Sequence, residues 1–187
     1  MSAWFSPDRV YRYLLERDVD LLLGHGRVTF VGLNPSTADE RKDDPTIRRC
    51  FGFARSWGYA RLGMLNLYGY RSTDPRLLLD VADPVGPDND EWLHYVSHRS
   101  ELVVAAWGVN APPDRVARAV ELLPNSLACL GTTKDGHPRH PLYVPGSTRP
   151  QPWEHLTQPP SSAILLAESK ERQGPHTQPE RKPRMEI

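Results

Sequence analysis

Two asparagines, Asn34 and Asn66, each follow a short apolar segment of the sequence. A carboxamide offers a hydrogen-bond donor and an acceptor side by side, which matches the polar edge of a nucleobase. Asn34 lies in the run Gly32-Leu33-Asn34-Pro35, and Pro35 keeps the preceding residue away from helical backbone angles. The pattern indicates recognition of a planar, hydrogen-bonding ring. The alternative is an ordinary Asn-Pro turn at the end of a strand.

Aromatic and histidine side chains could complete such a site. Phe51, Tyr68 or Trp107 could stack on a planar ring, although each would also fit a hydrophobic core. His137, in a polar loop, could stabilise a leaving group that becomes anionic, or could simply be a solvated loop residue. His137 and His140 each precede a proline, which excludes the helical spacing of a histidine metal pair.

Several function classes are excluded by the motifs that the sequence lacks. It contains no P-loop, no G-x-G-x-x-G and no G-x-S-x-G pattern. Two cysteines, Cys50 and Cys129, cannot by themselves form a Cys₄ zinc site, and packing is the role we expect for both. We therefore predict no metal and no organic cofactor. A formal net charge of zero gives no sign of a nucleic-acid partner across the whole chain, so any basic surface must be local.

The first residues lack the basic and apolar regions of a signal peptide, and no apolar run reaches membrane-spanning length. We therefore expect a cytoplasmic protein without membrane contact, and we take it to be a monomer. The expected organisation is a single α/β domain over residues 1–166, followed by a disordered tail over residues 167–187 that is rich in proline and charge.

Short apolar strands alternate with amphipathic helices along the chain. This alternation predicts a three-layer α/β/α sandwich around a central, mostly parallel, four-stranded sheet. Right-handed crossovers bring the carboxyl ends of parallel strands to one rim, so the polar residues after each strand should converge. The N-terminal segment from Ser6 to about Leu23 is predicted to be a helix. The four predicted strands cover residues 27–33, 61–68, 101–107 and 126–130.

The order of these motifs resembles the uracil-DNA glycosylase superfamily. Gly32-Leu33-Asn34-Pro35-Ser36 is similar to the G-I-N-P-G motif of its mismatch-specific and thymine-DNA branches. An apolar strand ending in Trp107-Gly108 and a later His137-Pro138 are similar to motifs of its uracil branch. More narrowly, residues 32–38, with 44–46 and 66–68, resemble a bacterial domain-of-unknown-function family, number sixteen forty-three. The resemblance covers about residues 27–144.

The resemblance implies a DNA glycosylase, which hydrolyses the N-glycosidic bond of a damaged or modified base flipped out of DNA. By position, Asn34 would hold the attacking water, Asn66 would read the base edge and His137 would stabilise the departing base. Gly32, Pro35 and Ser36 would approach the sugar-phosphate, and Leu142 would be a wedge in the duplex. The other expected substrate-binding residues are Leu33, Phe51, Tyr68, Trp107, Gly108, Lys134, Pro138, Arg139 and His140.

The sequence departs from those motifs at three places. Ser36 replaces the second glycine of G-I-N-P-G. Arg139 stands where the uracil branch has serine, so His140 could be the counterpart instead of His137. The loop before Asp44 is acidic, and Asp44 could be a carboxylate base or only a helix cap. A non-catalytic recognition module and a hydrolase of free nucleosides or nucleotides are therefore the alternative functions.

Overall fold

One sheet of seven strands organises residues 2–154, the part of the chain that the computed structural model describes. The predicted tail at residues 167–187, and residues 155–166 of the predicted domain, lie outside this part. The strands are β1 (Ser2–Phe5), β2 (Arg12–Asp18), β3 (His25–Gly32), β4 (Tyr59–Asn66), β5 (Leu102–Ala105), β6 (Ala128–Cys129) and β7 (Gln151–Pro152). The α-helices are α1 (Pro45–Ser56), α2 (Asn89–Ser97) and α3 (Pro113–Leu122). Two 3₁₀-helices cover Pro75–Leu79 and Pro141–Tyr143.

The centre of the sheet is parallel, as the alternation of strands and helices predicts. The strand order is β1-β2-β4-β3-β5-β6-β7, and β3 pairs in parallel with both β4 and β5. Gly32 at the end of β3 is the register partner of Asn66 at the end of β4. Because Val31 is likewise the partner of Ala105, the ends of these three strands lie at the same rim of the sheet.

The sheet has seven strands rather than the four that the sequence predicts. Three antiparallel pairings add strands at its edges: β1 with β2, β2 with β4, and β6 with β7. The predicted helix from Ser6 to about Leu23 is wrong, because this segment forms the turn after β1, the whole of β2 and the turn that follows it. In that turn Ser6 and Tyr11 exchange hydrogen bonds, and the Asp8 carboxylate accepts one from the Val10 amide at 3.1 Å. Ser6-Pro7-Asp8, a pattern that predicts the start of a helix, is therefore part of a hairpin turn.

The buried apolar side chains form two clusters, and successive strand residues alternate between them. Phe30 and Val104 belong to the cluster that contains the buried face of α1. Val31 and Val103 belong to the cluster that contains residues of α2 and α3. A strand whose two faces are both covered needs a continuous apolar run, which is what the sequence has at β3 and β5.

Asp44-Pro45 and Gly58 predict the start and the end of a helix, and both ends of α1 agree with this prediction. The Asp44 carboxylate accepts a hydrogen bond from the Ile47 amide at 2.9 Å, and Pro45 occupies the first helical turn. Gly58 follows the helix with a φ of +83°, a conformation that favours glycine. Within residues 2–154, no helix is long and apolar enough to cross a membrane.

Candidate functional site

A cavity of about 430 Å³ lies at the carboxyl ends of β3, β4 and β5. This volume falls in the range of pockets that bind small ligands, and the location is where open α/β sheets bind them. The cavity brings together eleven of the residues that the sequence predicts for the site. They are Gly32, Leu33, Asn34, Ser36, Asp44, Asn66, Trp107, Gly108, Pro138, Arg139 and His140.

Asn66 is the most distinctive residue of this cavity. Its side chain is 1% exposed, yet neither its Nδ2 nor its Oδ1 atom has a hydrogen-bond partner among residues 2–154. Leaving a buried polar group unpaired costs about 1–3 kcal/mol. The carboxamide therefore presents an unused donor and an unused acceptor to whatever occupies the cavity.

Neighbouring residues hold Asn66 in position. The Asn89 Nδ2 atom donates hydrogen bonds of 3.1 Å to the main-chain carbonyls of Asn66 and Leu67. The Arg115 Nε atom donates to the same Leu67 carbonyl at 2.7 Å. Opposite Asn66, a Cβ atom on Gly32 would lie 2.9 Å from the Asn66 Oδ1 atom. Glycine at position 32 thus leaves the space that the carboxamide occupies.

Asn34 is oriented by the loop that follows β3. Its Nδ2 atom donates to the carbonyl of Ser72 at 2.8 Å and to the carbonyl of Pro35 at 3.2 Å. The amide of Ser72 in turn donates to the Pro35 carbonyl at 2.9 Å. The amide nitrogen of Asn34 is thus engaged by main-chain carbonyls, and its Oδ1 atom is the acceptor that this lining residue can offer.

The indole of Trp107 adds a hydrogen-bond donor. It is 2% exposed, its Nε1 atom has no partner among the described residues, and its ring packs edge-on against Trp153 at 5.1 Å. Gly108 follows with a φ of +77°, and a Cβ atom there would lie 3.6 Å from the His140 side chain. Trp107 thus belongs both to the cavity wall, where its predicted stacking on a bound ring would place it, and to the core.

Asp44 and His140 are the titratable side chains with the most direct bearing on chemistry here. The Asp44 carboxylate caps α1 and also lines the cavity. The His140 Nδ1 atom accepts a hydrogen bond from the Leu142 amide at 3.3 Å, so the neutral ring carries its proton on Nε2. Burial lowers the pKa of His140, and the nearby Asp44 charge partly opposes that shift. The ring is therefore a neutral donor near pH 7.

The model of the family described as "Protein of unknown function (DUF1643)" matches residues 12–142, which is more than half of the chain. The chain belongs to the DUF1643 family. No curated protein and no solved structure matches it. The matched span of this DUF1643 domain begins at Arg12 and ends at Leu142, so it contains β2 to β6 and nearly all of the cavity wall.

The DUF1643 cavity does not include six of the residues that the sequence predicts for the site. His137 is half-buried, in a turn where its carbonyl accepts from the Thr133 amide at 2.9 Å. Tyr68 is in the core, where burial raises its pKa, and Phe51 packs against the α1 cluster. The remaining three are buried Pro35, exposed Lys134 and exposed Leu142. Of the two histidines between which the sequence leaves a choice, the cavity contains His140.

Sequence reasoning also missed residues of the DUF1643 cavity. Arg12 is the most important, because it is a buried cation at the start of a strand that is predicted to be a helix. The other missed lining residues are Thr46, Ile47, Met64, Pro75, Val109, Asn110, Thr133 and Tyr143. Thr46 follows Asp44-Pro45, a pair that predicts the start of a helix, and this is the sequence signal for its position. Within residues 2–154, no group of three or more His, Cys, Asp and Glu side chains could hold a metal ion.

The lowered pKa of His140 predicts a specific pH dependence. At a pH below about 6.5 the unfolded chain protonates this histidine while the folded protein resists, so the free energy of unfolding should fall as the pH decreases. Urea unfolding at pH 7.5 and 5.5 measures the effect. We expect His140→Gln to lose less stability over this interval than the parent protein, and an NMR titration of the His140 ring to give a pKa below 6.5. An equal loss in the two proteins would contradict the assignment.

Proposed function

We propose that this domain is a DNA glycosylase-like enzyme, which hydrolyses the N-glycosidic bond of a damaged or modified base flipped out of DNA. The observation that carries the proposal is the Asn66 carboxamide, which is buried in a ligand-sized cavity and whose donor and acceptor have no partner among residues 2–154. This pair of groups matches one edge of a nucleobase. The proposal includes a three-layer α/β/α arrangement like that of uracil-DNA glycosylases, no cofactor and a monomeric enzyme.

The residues of the cavity divide into three roles under this proposal. Asn66 reads the base edge, with Trp107 as a further donor. The Asn34 Oδ1 atom holds a water molecule, whose oxygen attacks C1′ of the sugar while the C1′–N bond breaks and its electrons leave with the base. The neutral His140 ring donates from Nε2 to the departing base, in the role that the sequence assigns to His137. Asp44 is the candidate acceptor of the proton from water.

The surface near the cavity mouth supports a macromolecular substrate. Arg139, Leu142 and Tyr143 are all exposed, and the Tyr143 side chain, which is 79% exposed, also lines the cavity. An exposed apolar group beside a cation is a common means of contacting a nucleic-acid strand and its bases. Leu142 remains the proposed wedge, while Gly32, Ser36 and Gly108 provide close approach to the sugar-phosphate.

A second candidate, a non-catalytic module that recognises a nucleobase, is favoured by one observation. One carboxylate oxygen of Asp44 is engaged in capping α1, so the candidate general base has a structural role that explains its presence. A recognition module keeps the base-reading groups and needs no base. Salt-sensitive DNA binding without release of a base would favour this candidate.

An abasic-site assay tests the enzymatic proposal. The purified protein is incubated with oligonucleotides that carry uracil, mismatched thymine, hypoxanthine, or hydroxymethylated or glucosylated pyrimidines. Hot alkali then cleaves any strand that has lost a base. Cleavage of at least one substrate is the expected result. Absence of cleavage from all of them, with binding retained, would replace the enzyme by the recognition module.

On any substrate that the assay identifies, we expect Asn34→Ala to lower kcat by about 10²–10³-fold, because positioned polar groups contribute that much to such reactions. Binding of the substrate should change little, because the water is held for the transition state and not for the ground state. The matched control is Asn125→Ala, which alters an exposed asparagine outside the cavity. Unchanged kcat in Asn34→Ala would show that another group positions the water.

A further inference from the structure

Arg12 reaches the cavity because its strand runs against the parallel strands. β2 pairs antiparallel with β4, so the first residue of β2 lies at the rim where β4 ends. The Arg12 amide donates to the Gly69 carbonyl at 2.9 Å, three residues beyond Asn66. The Arg12 side chain lines the same cavity as the Asn66 carboxamide.

The guanidinium of Arg12 is a buried cation without a carboxylate partner in the described part of the chain. The residue is 1% exposed, its Nη1 atom donates to the Ala38 carbonyl at 2.7 Å, and its Nε atom has no partner among the described residues. None of the ion pairs found within residues 2–154 involves Arg12. An isolated buried charge is costly unless something compensates for it.

The charges around Arg12 only partly compensate for its burial. Burial lowers the pKa of Arg12 to about 10, and the positive charges of Arg71 and Arg17 act in the same direction. Asp44 and Asp39 act in the opposite direction, but neither forms an ion pair with Arg12. An anion in direct contact with the guanidinium would restore the stability of its charged form.

The cavity wall that contains Arg12 also contains typical ligands of a phosphate. Ser36 and Thr46 supply hydroxyl groups. Thr46 is also in the first turn of α1, a helix of 12 residues whose N-terminus carries the positive end of its dipole. A guanidinium fork, hydroxyl donors and a helix N-terminus together match the several acceptor oxygens of a phosphate better than the two of a carboxylate.

We propose that Arg12, Ser36 and Thr46 form an anion subsite of the cavity that binds the phosphate of the nucleotide whose base lies against Asn66. This inference rests on the proposed function for the base itself and adds the substrate class: a nucleoside phosphate instead of a nucleoside. The phosphate belongs either to a free nucleotide or to the extruded nucleotide of a strand, and the chemistry that Arg12 recognises is the same in both.

The test compares ligands that differ only in the phosphate, in the wild-type protein. Calorimetry measures the affinities of 2′-deoxyuridine and the four common deoxynucleosides, and of their 5′-monophosphates. NMR follows the Arg12 Nε–H resonance during the same titrations and during a titration with inorganic phosphate. We expect at least one monophosphate to bind tenfold or more tightly than its nucleoside, and to shift the Arg12 resonance.

The outcomes separate this inference from the proposed function. Equal affinities with an unmoved Arg12 resonance would overturn the anion subsite and leave the base site intact. If neither nucleosides nor monophosphates bind, the base site is overturned. The NMR titration with inorganic phosphate then decides whether Arg12 binds an anion, because binding shifts the Arg12 resonance. Tighter binding of a single-stranded oligonucleotide that contains the same nucleotide would identify the strand as the source of the phosphate.

A pair of variants then assigns the effect to the side chain. Arg12→Gln should reduce the ratio of the monophosphate affinity to the nucleoside affinity about tenfold, whereas Arg12→Lys should reduce this ratio only in part. Thermal unfolding checks that both variants fold. Because the comparison of ligands uses the wild-type protein, an unfolded variant leaves the main test valid. An Arg12→Gln variant that folds and still prefers the monophosphate to the same extent would overturn the subsite.

Discussion

Replacing Asn66 by leucine should stabilise the ligand-free protein and abolish its binding of a nucleobase. The side chain is buried and its donor and acceptor have no partners among residues 2–154, so an apolar side chain of similar size removes a penalty of about 1–3 kcal/mol. For a chain of this length, each kcal/mol raises Tm by about 2–4 °C. Thermal unfolding, together with calorimetry on nucleosides, measures both effects.

The matched control is Asn89→Leu, which replaces a second buried asparagine. The Asn89 Nδ2 atom donates to two main-chain carbonyls, so its loss should destabilise the protein. If Asn66→Leu raises the free energy of unfolding and Asn89→Leu lowers it, Asn66 is a residue retained for function at the expense of stability. If Asn66→Leu destabilises the protein as much as Asn89→Leu, the Asn66 carboxamide has a structural role and the proposed base site is wrong.

The rim of the sheet could be predicted because the strands that form it carry strong local signals. Continuous apolar runs identify β3, β4 and β5, and parallel pairing then brings the residues after each run together. Asn34, Asn66 and Trp107 therefore meet in one cavity, as their positions in the sequence predict. No long-range information beyond the fold class was needed for this part of the site.

The N-terminal hairpin could not be predicted in the same way, because its local pattern fits a helix as well as a strand. Tyr13, Leu14 and Arg17 are at helical spacing, but Arg12, Tyr13, Leu14 and Leu15 are all buried in β2. Pairing with β4 and a set of long-range hydrogen bonds decide the structure of this segment, and a local pattern does not contain them. This is why the sequence misses Arg12, a buried cation in the cavity wall.

The functional histidine depends on the path of one loop. Thr132 and Pro138 form an isolated bridge in this loop, and His140 lines the cavity whereas His137 does not. Each histidine precedes a proline, so the sequence offers the same local signal at both positions. Only the tertiary contacts of the loop distinguish them.

Asp43→Ala should produce the largest loss of stability among the substitutions considered, because it leaves Arg17 as a buried cation without a carboxylate. The Arg17 side chain is 0% exposed, and its Nε atom donates to the Asp43 carboxylate at 2.8 Å. Breaking a buried ion pair costs about 3–5 kcal/mol. Asp43 is 27% exposed, so we expect a value toward the lower end of that range, measured by urea unfolding.

Glu40→Ala is the control, because Glu40 lies in the same loop and its ion pair with Arg9 is exposed, with side chains 50% and 42% accessible. Solvent screens such an exposed pair, so its loss should have little effect on stability. A double variant, Arg17→Met with Asp43→Ala, should recover much of the stability, since it removes both charges. Equal losses for Asp43→Ala and Glu40→Ala would contradict the prediction.

This prediction bears on function because it concerns the acidic loop beside the cavity. Asp43 pairs with Arg17, Glu40 pairs with Arg9, and the Asp39 carboxylate accepts hydrogen bonds from the amides of Arg41 and Lys42. These carboxylates are engaged by the protein itself, so they repel a phosphate less than their number in the sequence suggests. Arg12 precedes Arg17 by five residues in the same strand and, unlike Arg17, has no carboxylate partner among residues 2–154. A large effect of Asp43→Ala would show that this strand tolerates a buried arginine only when an anion compensates for it, which is the condition that a nucleotide phosphate would meet at Arg12.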